Sequence, residues 1–143
     1  MSIFKKPNKE RIIIVGCSSF GSALLEMFSE QNKSIIIIDK KESAFLKLSP
    51  NYKGFCMEGD ATDIDMLDLA GANEADMLVA ATNDDNSNIM IAQIAKQIFK
   101  IKKVIARIND TNKQSSYSNM DIITISPIIL SLNEFKKIAL DKE

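Results

Sequence analysis

The chain contains no histidine and no tryptophan. Without histidine it lacks the side chain that most often acts as a general base near neutral pH, and the commonest metal ligand. Cysteine is scarce too. Cys17 and Cys56 are the only two and cannot make a disulfide framework. No C-x-x-C spacing suggests a metal or redox site, and both residues sit in apolar stretches, which predicts reduced thiols in a cytosolic protein. Long apolar runs are missing as well: none approaches the ~20 residues of a membrane span. Met1 to Pro7 carries Lys5 and Lys6 but no apolar run follows, so the sequence predicts no secretory leader, no direct membrane insertion and a cytoplasmic location. Any role at the membrane would then run through a partner. The formal net charge of -1 gives no electrostatic case for a nucleic-acid partner, and Lys96, Lys100, Lys102 and Lys103 read as a solvated face.

What is present is an ordinary globular composition, 45% apolar and 26% charged, in a chain of 143 residues that fits one domain. Short β-branched runs alternate with longer periodic segments. Ile12–Val15 and Ser34–Asp39 are continuously apolar, as strands covered on both faces must be. Tyr52–Met57, Asp76–Ala81, Val104–Ile108 and Asp121–Ile125 supply four more strands. Helices are predicted over Ser19–Gln31, Glu42–Leu48, Asp63–Ala70 and about Asp85–Phe99, with a turn and short helix within Asn109–Ser118. Thr62 and Asp65 form a candidate capping box, with Gly71 as the C-cap. Ser126 and Pro127 start a last helix with Ile128, Leu132, Phe135 and Ile138 along one stripe. The Asp85–Phe99 helix has an apolar face broad enough for burial on two sides. Strands alternating with helices predict a single α/β Rossmann-type domain with a doubly wound parallel sheet of six strands, order 3-2-1-4-5-6. Residues 1–10 form a tail, 11–126 the Rossmann domain, and 127–143 a C-terminal helix available to a dimer interface.

The chemistry is expected where strands meet helices. The first strand runs into Gly16-Cys17-Ser18-Ser19-Phe20-Gly21, the place of a G-x-G-x-x-G turn with Ser18 as the second glycine. Such a turn brings backbone N–H groups and a helix N-terminus to a phosphate. Alone it is also an ordinary strand-to-helix joint. Asp39 closes the second strand at about the spacing of ~20 residues at which an acid reaches ribose hydroxyls. Alone it is equally a helix cap. Together they favour nucleotide binding with a free 2′-hydroxyl, NAD or AMP-type over NADP. Gly59–Thr62 and Ala81–Asn86 follow the third and fourth strands, at the ends where open α/β sheets bind ligands. Arg107, near the end of the fifth, is a candidate phosphate partner or a surface ion pair.

These stretches, from Ile13–Gly21 through Ile38–Lys40, Glu58–Asp63 and Ala75–Asp85 to Val104–Asp110, resemble the TrkA N-terminal family. These are the KTN or RCK-type domains that regulate potassium transport, and the resemblance runs from about Arg11 to Leu130. It implies a dimeric, non-enzymatic sensor of NAD(H), ATP, ADP or AMP, paired as a homodimer or with a homologous chain, that docks on a membrane potassium transporter or channel. It carries phosphate contacts onto Gly16, Cys17, Ser18, Ser19, Phe20 and Gly21, ribose contacts onto Asp39 and Lys40, adenine contacts onto Asp60 and Ala61, a second half-site onto Thr82 and Asn83, and a further contact onto Arg107. Ser18 in place of glycine and Ser19 in place of the family's frequent arginine point to AMP or ADP rather than ATP. The family's C-terminal ligand-binding domain is not found here, which predicts a stand-alone N-terminal module. The competing readings are a small NAD-dependent oxidoreductase, disfavoured because no histidine is present and Tyr117 lacks a lysine four residues on, and a ligand-free partner with a decayed site.

Overall fold

The computed structural model describes residues 9–52, 54–118 and 120–141. Six parallel strands make one sheet in the order β3-β2-β1-β4-β5-β6: β1 Arg11–Val15, β2 Ser34–Asp39, β3 Phe55–Glu58, β4 Met77–Ala80, β5 Lys103–Arg107 and β6 Ile123–Ile125. This is the expected doubly wound order. The helices are α1 Ser19–Glu30, α2 Ile64–Leu69, α3 Asp85–Gln97, α4 Thr111–Gln114 and α5 Pro127–Ala139, with 3-10 turns at Glu42–Lys47, Ala72–Glu74 and Ser115–Tyr117.

Side chains alternate across a strand, so β1, β2 and β4 feed two cores. Ile13, Val15, Ile36, Ile38, Leu78 and Ala80 pack with Leu67 of α2 and Ile91, Ala92 and Ala95 of α3. Ile12, Ile14, Ile35, Ile37 and Val79 pack on the other face with Leu25 of α1, flanked by Phe20, Leu24 and Phe45. Covering on both faces is why these runs carry no alternating polar residues.

Several expectations shift. The third strand begins at Phe55, because Tyr52 lies before it and its hydroxyl donates to the carbonyls of Ile35 and Phe55, both at 3.1 Å. The third strand is an edge, and Cys56 on it is exposed, while Cys17 is buried. The capping box does not form. Asp63 caps α2 by accepting from the Asp65 N–H, and Thr62 turns back to donate to Asp60. Gly71 sits just past the helix at φ +88°, the left-handed position that favours glycine. The sixth strand starts at Ile123 because Asp121 takes φ +54°, which breaks the extended chain.

The two helices with broad apolar character separate. In α3, Ile89, Ile91, Ala92, Ile94 and Ala95 are buried against the domain's own sheet, while Met90 on its flank and Ile98 at its C-cap are about half exposed. None of the residues of α5 is buried, and Leu132, Phe135 and Ile138 are 59, 70 and 74% exposed.

Candidate functional site

The carboxyl ends of β1, β2, β3 and β4 surround a cavity of about 470 Å³. It lies where the sheet order reverses about β1, the place at which open α/β sheets take ligands. Among the sequence-derived candidates, Gly16, Cys17, Ser18, Asp39, Lys40, Asp60, Ala61, Thr82 and Asn83 line it.

Gly16 has φ +101°. A Cβ there would stand 2.7 Å from the Thr82 nitrogen and 2.8 Å from the Ala81 carbonyl carbon. Glycine is therefore demanded by the close pass of the turn after β1 over the end of β4, in keeping with its place as the tight-turn glycine of the motif. At Gly21 a Cβ would collide with the Gly16 carbonyl oxygen, so this glycine lets α1 pack close to the strand end. Ser18 is the N-cap of α1. Its Oγ accepts from the Gly21 N–H at 3.1 Å and donates to the Ala81 carbonyl at 3.1 Å. The serine hydroxyl thus satisfies one of the orphan N–H groups of the helix start and ties the turn to β4.

The Cys17 N–H donates to Asp39 Oδ2 at 2.8 Å, and the Lys41 N–H donates to Oδ1 at 2.9 Å. Asp39 therefore clamps the glycine turn to the corner after β2. The Cys17 thiol donates to the Ala44 carbonyl at 3.3 Å. Burial raises its pKa, with the Lys47 ammonium opposing the rise. Lys40 and Asp60 face each other at 3.8 Å across the cleft mouth. The hydroxyl and N–H of Thr62 both donate to Asp60, and with Lys40 they hold its carboxyl below the usual range.

The β4 end is held by a residue that sequence reasoning missed. Asn88 is wholly buried. Its Oδ1 accepts from the Thr82 N–H at 2.9 Å and the Thr82 hydroxyl at 2.6 Å, while its Nδ2 donates to the carbonyls of Thr82 at 3.0 Å and Arg107 at 2.9 Å. A polar residue amid the apolar positions of α3 was the available signal. Asp84 caps the same helix by accepting from the N–H and hydroxyl of Ser87, which lower its pKa. Thr62 and Asp84, from the strand-end segments Gly59–Thr62 and Ala81–Asn86, also line the cavity, as do Lys41, Lys47 and Ser87, which sequence reasoning does not single out.

Ser19, Phe20, Gly21 and Arg107 are not brought to the cavity wall. Ser19 is exposed. The Arg107 guanidinium lies over the Phe20 ring at 5.2 Å from its centroid, and its Nε donates to Asn109 Oδ1 at 3.1 Å. That stacking anchors β5 to the start of α1. Among the described residues no group of three or more histidine, cysteine or carboxylate side chains is placed to hold a metal ion, and no helix is long and apolar enough to cross a membrane.

The family model of the TrkA-N domain matches residues 12–127. The chain belongs to the TrkA-N domain family. The Trk system potassium uptake protein TrkA of Streptomyces coelicolor is 33% identical over 117 residues, covering 82% of this chain and 52% of that protein. The chain thus spans about half the length of that relative. Among solved structures, the Kef CTD of Shewanella denitrificans in AMP-bound form superposes with a TM-score of 0.79 over 92% of this chain and 80% of that one, at 24% identity, which speaks to the TrkA-N fold alone. GsuK bound to ADP gives a TM-score of 0.76 at 25% identity, covering 99% of this chain and 36% of that one. The GsuK channel bound to NAD gives 0.69 at 26% identity, covering 94% of this chain and 25% of that one.

Proposed function

We propose that this TrkA-N domain is the nucleotide-sensing part of a potassium-uptake system, binding AMP, ADP or NAD(H) in the cleft and gating a membrane transporter or channel. The observation that carries the reading is convergence. The glycine turn, Asp39, the Asp60–Ala61 corner and Thr82 come from four separate chain segments and meet at one cavity. The relatives' potassium-uptake name and the ADP and NAD bound to GsuK agree with it.

In this reading the N–H groups at the start of α1 take the 5′-phosphate, with Gly16, Cys17 and Ser18 forming the turn and Ser19, Phe20 and Gly21 its helical side. Asp39 and Lys40 meet the ribose, Asp60 and Ala61 flank the adenine, and Thr82 and Asn83 hold the second half-site. Arg107 supports the turn through Phe20. AMP or ADP is favoured over ATP because Ser18 already caps the Gly21 N–H and Ser19 offers no cation for outer phosphates. A sensor is favoured over an oxidoreductase because the chain has no histidine, and Tyr52 is committed to two backbone carbonyls outside the cleft.

The domain is a regulatory chain acting from the cytoplasmic side through its partner. It self-associates, or pairs with a homologous chain, through α5, whose apolar side chains the domain itself leaves uncovered. Ligand shifts that assembly only by its differential affinity for two states. Equilibrium dialysis against labelled AMP, ADP, ATP and NADH tests the binding step. Absence of binding to all four refutes it. Potassium uptake by cells lacking the protein tests the transport step, and unchanged uptake at every external potassium concentration refutes that part.

A further inference from the structure

In a parallel sheet every strand starts at the same end, so the turns that lead into the strands form a second rim, opposite the cleft. The turn between α3 and β5 gives that rim its strongest local charge. From sequence Lys96, Lys100, Lys102 and Lys103 read as a solvated face, and the structure divides them. Lys96 reaches back along the turn: its Nζ donates to the Lys102 carbonyl at 2.7 Å and pairs with Asp121 at 3.3 Å. Ile101 is buried, and its N–H returns to the Ala95 carbonyl at 3.1 Å. The turn is therefore held from within. Lys100, Lys102 and Lys103 are exposed and make no ion pair among the described residues. Ile98, beside them at the end of α3, is 51% exposed.

Two features separate this turn from an ordinary solvated run. Lys100 takes φ +56°, a left-handed conformation that glycine or asparagine adopts at lower cost, and helices commonly end on one of those two. Departures from local preference are expected at functional positions. The carboxylates of the flanking strand starts are also already committed. Asp76 and Glu74, before β4, hold the N–H and the guanidinium of Arg11, and Asp121, before β6, holds Lys96. Three fixed cations around an exposed isoleucine present both parts of an interfacial contact, charge for anionic headgroups and an apolar side chain for the layer beneath them.

We propose that the α3–β5 turn, through Lys100, Lys102, Lys103 and Ile98, docks the domain on the anionic lipid surface of the membrane. This rests on the reading above only in placing the domain beside a membrane. A membrane protein fits the turn less well. The cytoplasmic loops of such proteins carry an excess of Lys and Arg, which these lysines would repel, whereas the leaflet they border is negative. Contact at this rim turns the cleft away from the lipid, so nucleotide reaches it while the domain is docked.

Co-sedimentation with vesicles of phosphatidylcholine, with and without about one-third phosphatidylglycerol, tests it. The wild-type chain is expected to bind the anionic vesicles and not the neutral ones, and to be released as salt shortens the Debye length from ~10 to ~3 Å. The Lys100→Asn/Lys102→Gln/Lys103→Gln variant, whose asparagine suits φ +56°, loses about tenfold or more of that binding. Ile98→Ser weakens it by a similar factor at each salt concentration, as an apolar contact does. Lys136→Gln/Lys137→Gln, which removes two cations from α5, keeps it. Circular dichroism checks the fold of each variant. Wild-type chain that ignores anionic vesicles overturns the docking surface, and so does a triple variant that binds as the wild type does, or loss of binding in the α5 variant instead. Retention on immobilised polyglutamate without binding to anionic vesicles assigns the turn to an acidic protein and overturns it too. Nucleotide binding is measured separately by dialysis, so the two readings fail independently.

Discussion

Asn88→Ala is the substitution on which the structural account of the cleft stands or falls. The amide makes four hydrogen bonds, two accepted from Thr82 and two donated to the carbonyls of Thr82 and Arg107. Truncation removes all of them from a side chain that has no exposed surface. Each bond is worth about 0.5–1.5 kcal/mol net, and a polar group stranded in a buried place costs about 1–3 kcal/mol. Thr82 and Arg107 are half-buried, so water recovers part of the loss. The expected destabilisation is about 2–4 kcal/mol, a large share of the ~5–15 kcal/mol of a typical domain. Urea unfolding followed by circular dichroism reads it as a lower midpoint at unchanged slope. Asn88→Asp adds a pH test. The carboxylate keeps the acceptor role toward Thr82 but meets two carbonyl oxygens where the amide donated. Its ionised form is disfavoured in the fold, so its pKa there is raised above the unfolded value. Stability is therefore greatest below the unfolded pKa and is lost as pH rises through the folded one. A destabilisation of Asn88→Ala under about 0.5 kcal/mol, the range of a neutral surface change, refutes the reasoning.

Other outcomes follow from the same geometry. Gly16→Ala forces a Cβ against the Ala81–Thr82 backbone at a φ of +101°, and is expected to cost about 2 kcal/mol or more in urea unfolding; near-wild-type stability would show that the turn is not fixed by β4. Asp39→Ala removes the partner of two N–H groups and the proposed ribose acceptor, and AMP affinity by dialysis is expected to fall by about 1.5–3 kcal/mol. Unchanged affinity in a folded variant removes Asp39 from the site. Leu132→Asp with Phe135→Asp places charges on the exposed apolar stripe of α5, and light scattering is expected to show a smaller species than wild type. Wild-type protein that is already monomeric at high concentration and captures no partner chain in pull-downs defeats that expectation.

Much of the fold was legible because the physics that sets it is local. Ile12–Val15 and Ser34–Asp39 are apolar without interruption, and only strands covered on both faces need to be. Glycine after the first and an acid at the end of the second marked the strand ends that form the cleft. The third strand was read too early because Tyr52 has the composition of a strand residue. Its role is set instead by a hydroxyl that bonds Ile35, which lies 17 positions away. Asn88 escaped notice for the same reason: its partners are six and 19 positions distant. Lys47 could not be placed, since no spacing rule tells which side of a short 3-10 turn faces a cavity. Gly16 is legible as the glycine that turns the chain at the end of the first strand, but its nearest neighbours, the backbone of Ala81 and Thr82 at the end of β4, are far away in sequence and no motif spacing names them.

A broad apolar helix face has two physical causes, and sequence does not separate them. Burial by the domain's own sheet gives one, as in α3, and an uncovered surface gives the other, as in α5. The case for self-association therefore loses α3 and rests on α5 alone. That helix is nevertheless not remote from the cleft. Asn88 joins Thr82 in the cleft to the Arg107 carbonyl at the end of β5. Arg107 pairs in register with Ile125, the last residue of β6, and the Ile108 N–H closes on the Ile125 carbonyl at 2.9 Å. The next residue, Ser126, is buried and caps α5 by accepting from the Ile129 N–H. The cleft and the exposed helix are thus joined by a short run of hydrogen bonds between rigid elements. Such continuity becomes coupling only if the elements have two arrangements that ligand and partner both bias. Spatial contact does not supply those arrangements, and a change in assembly on adding nucleotide would.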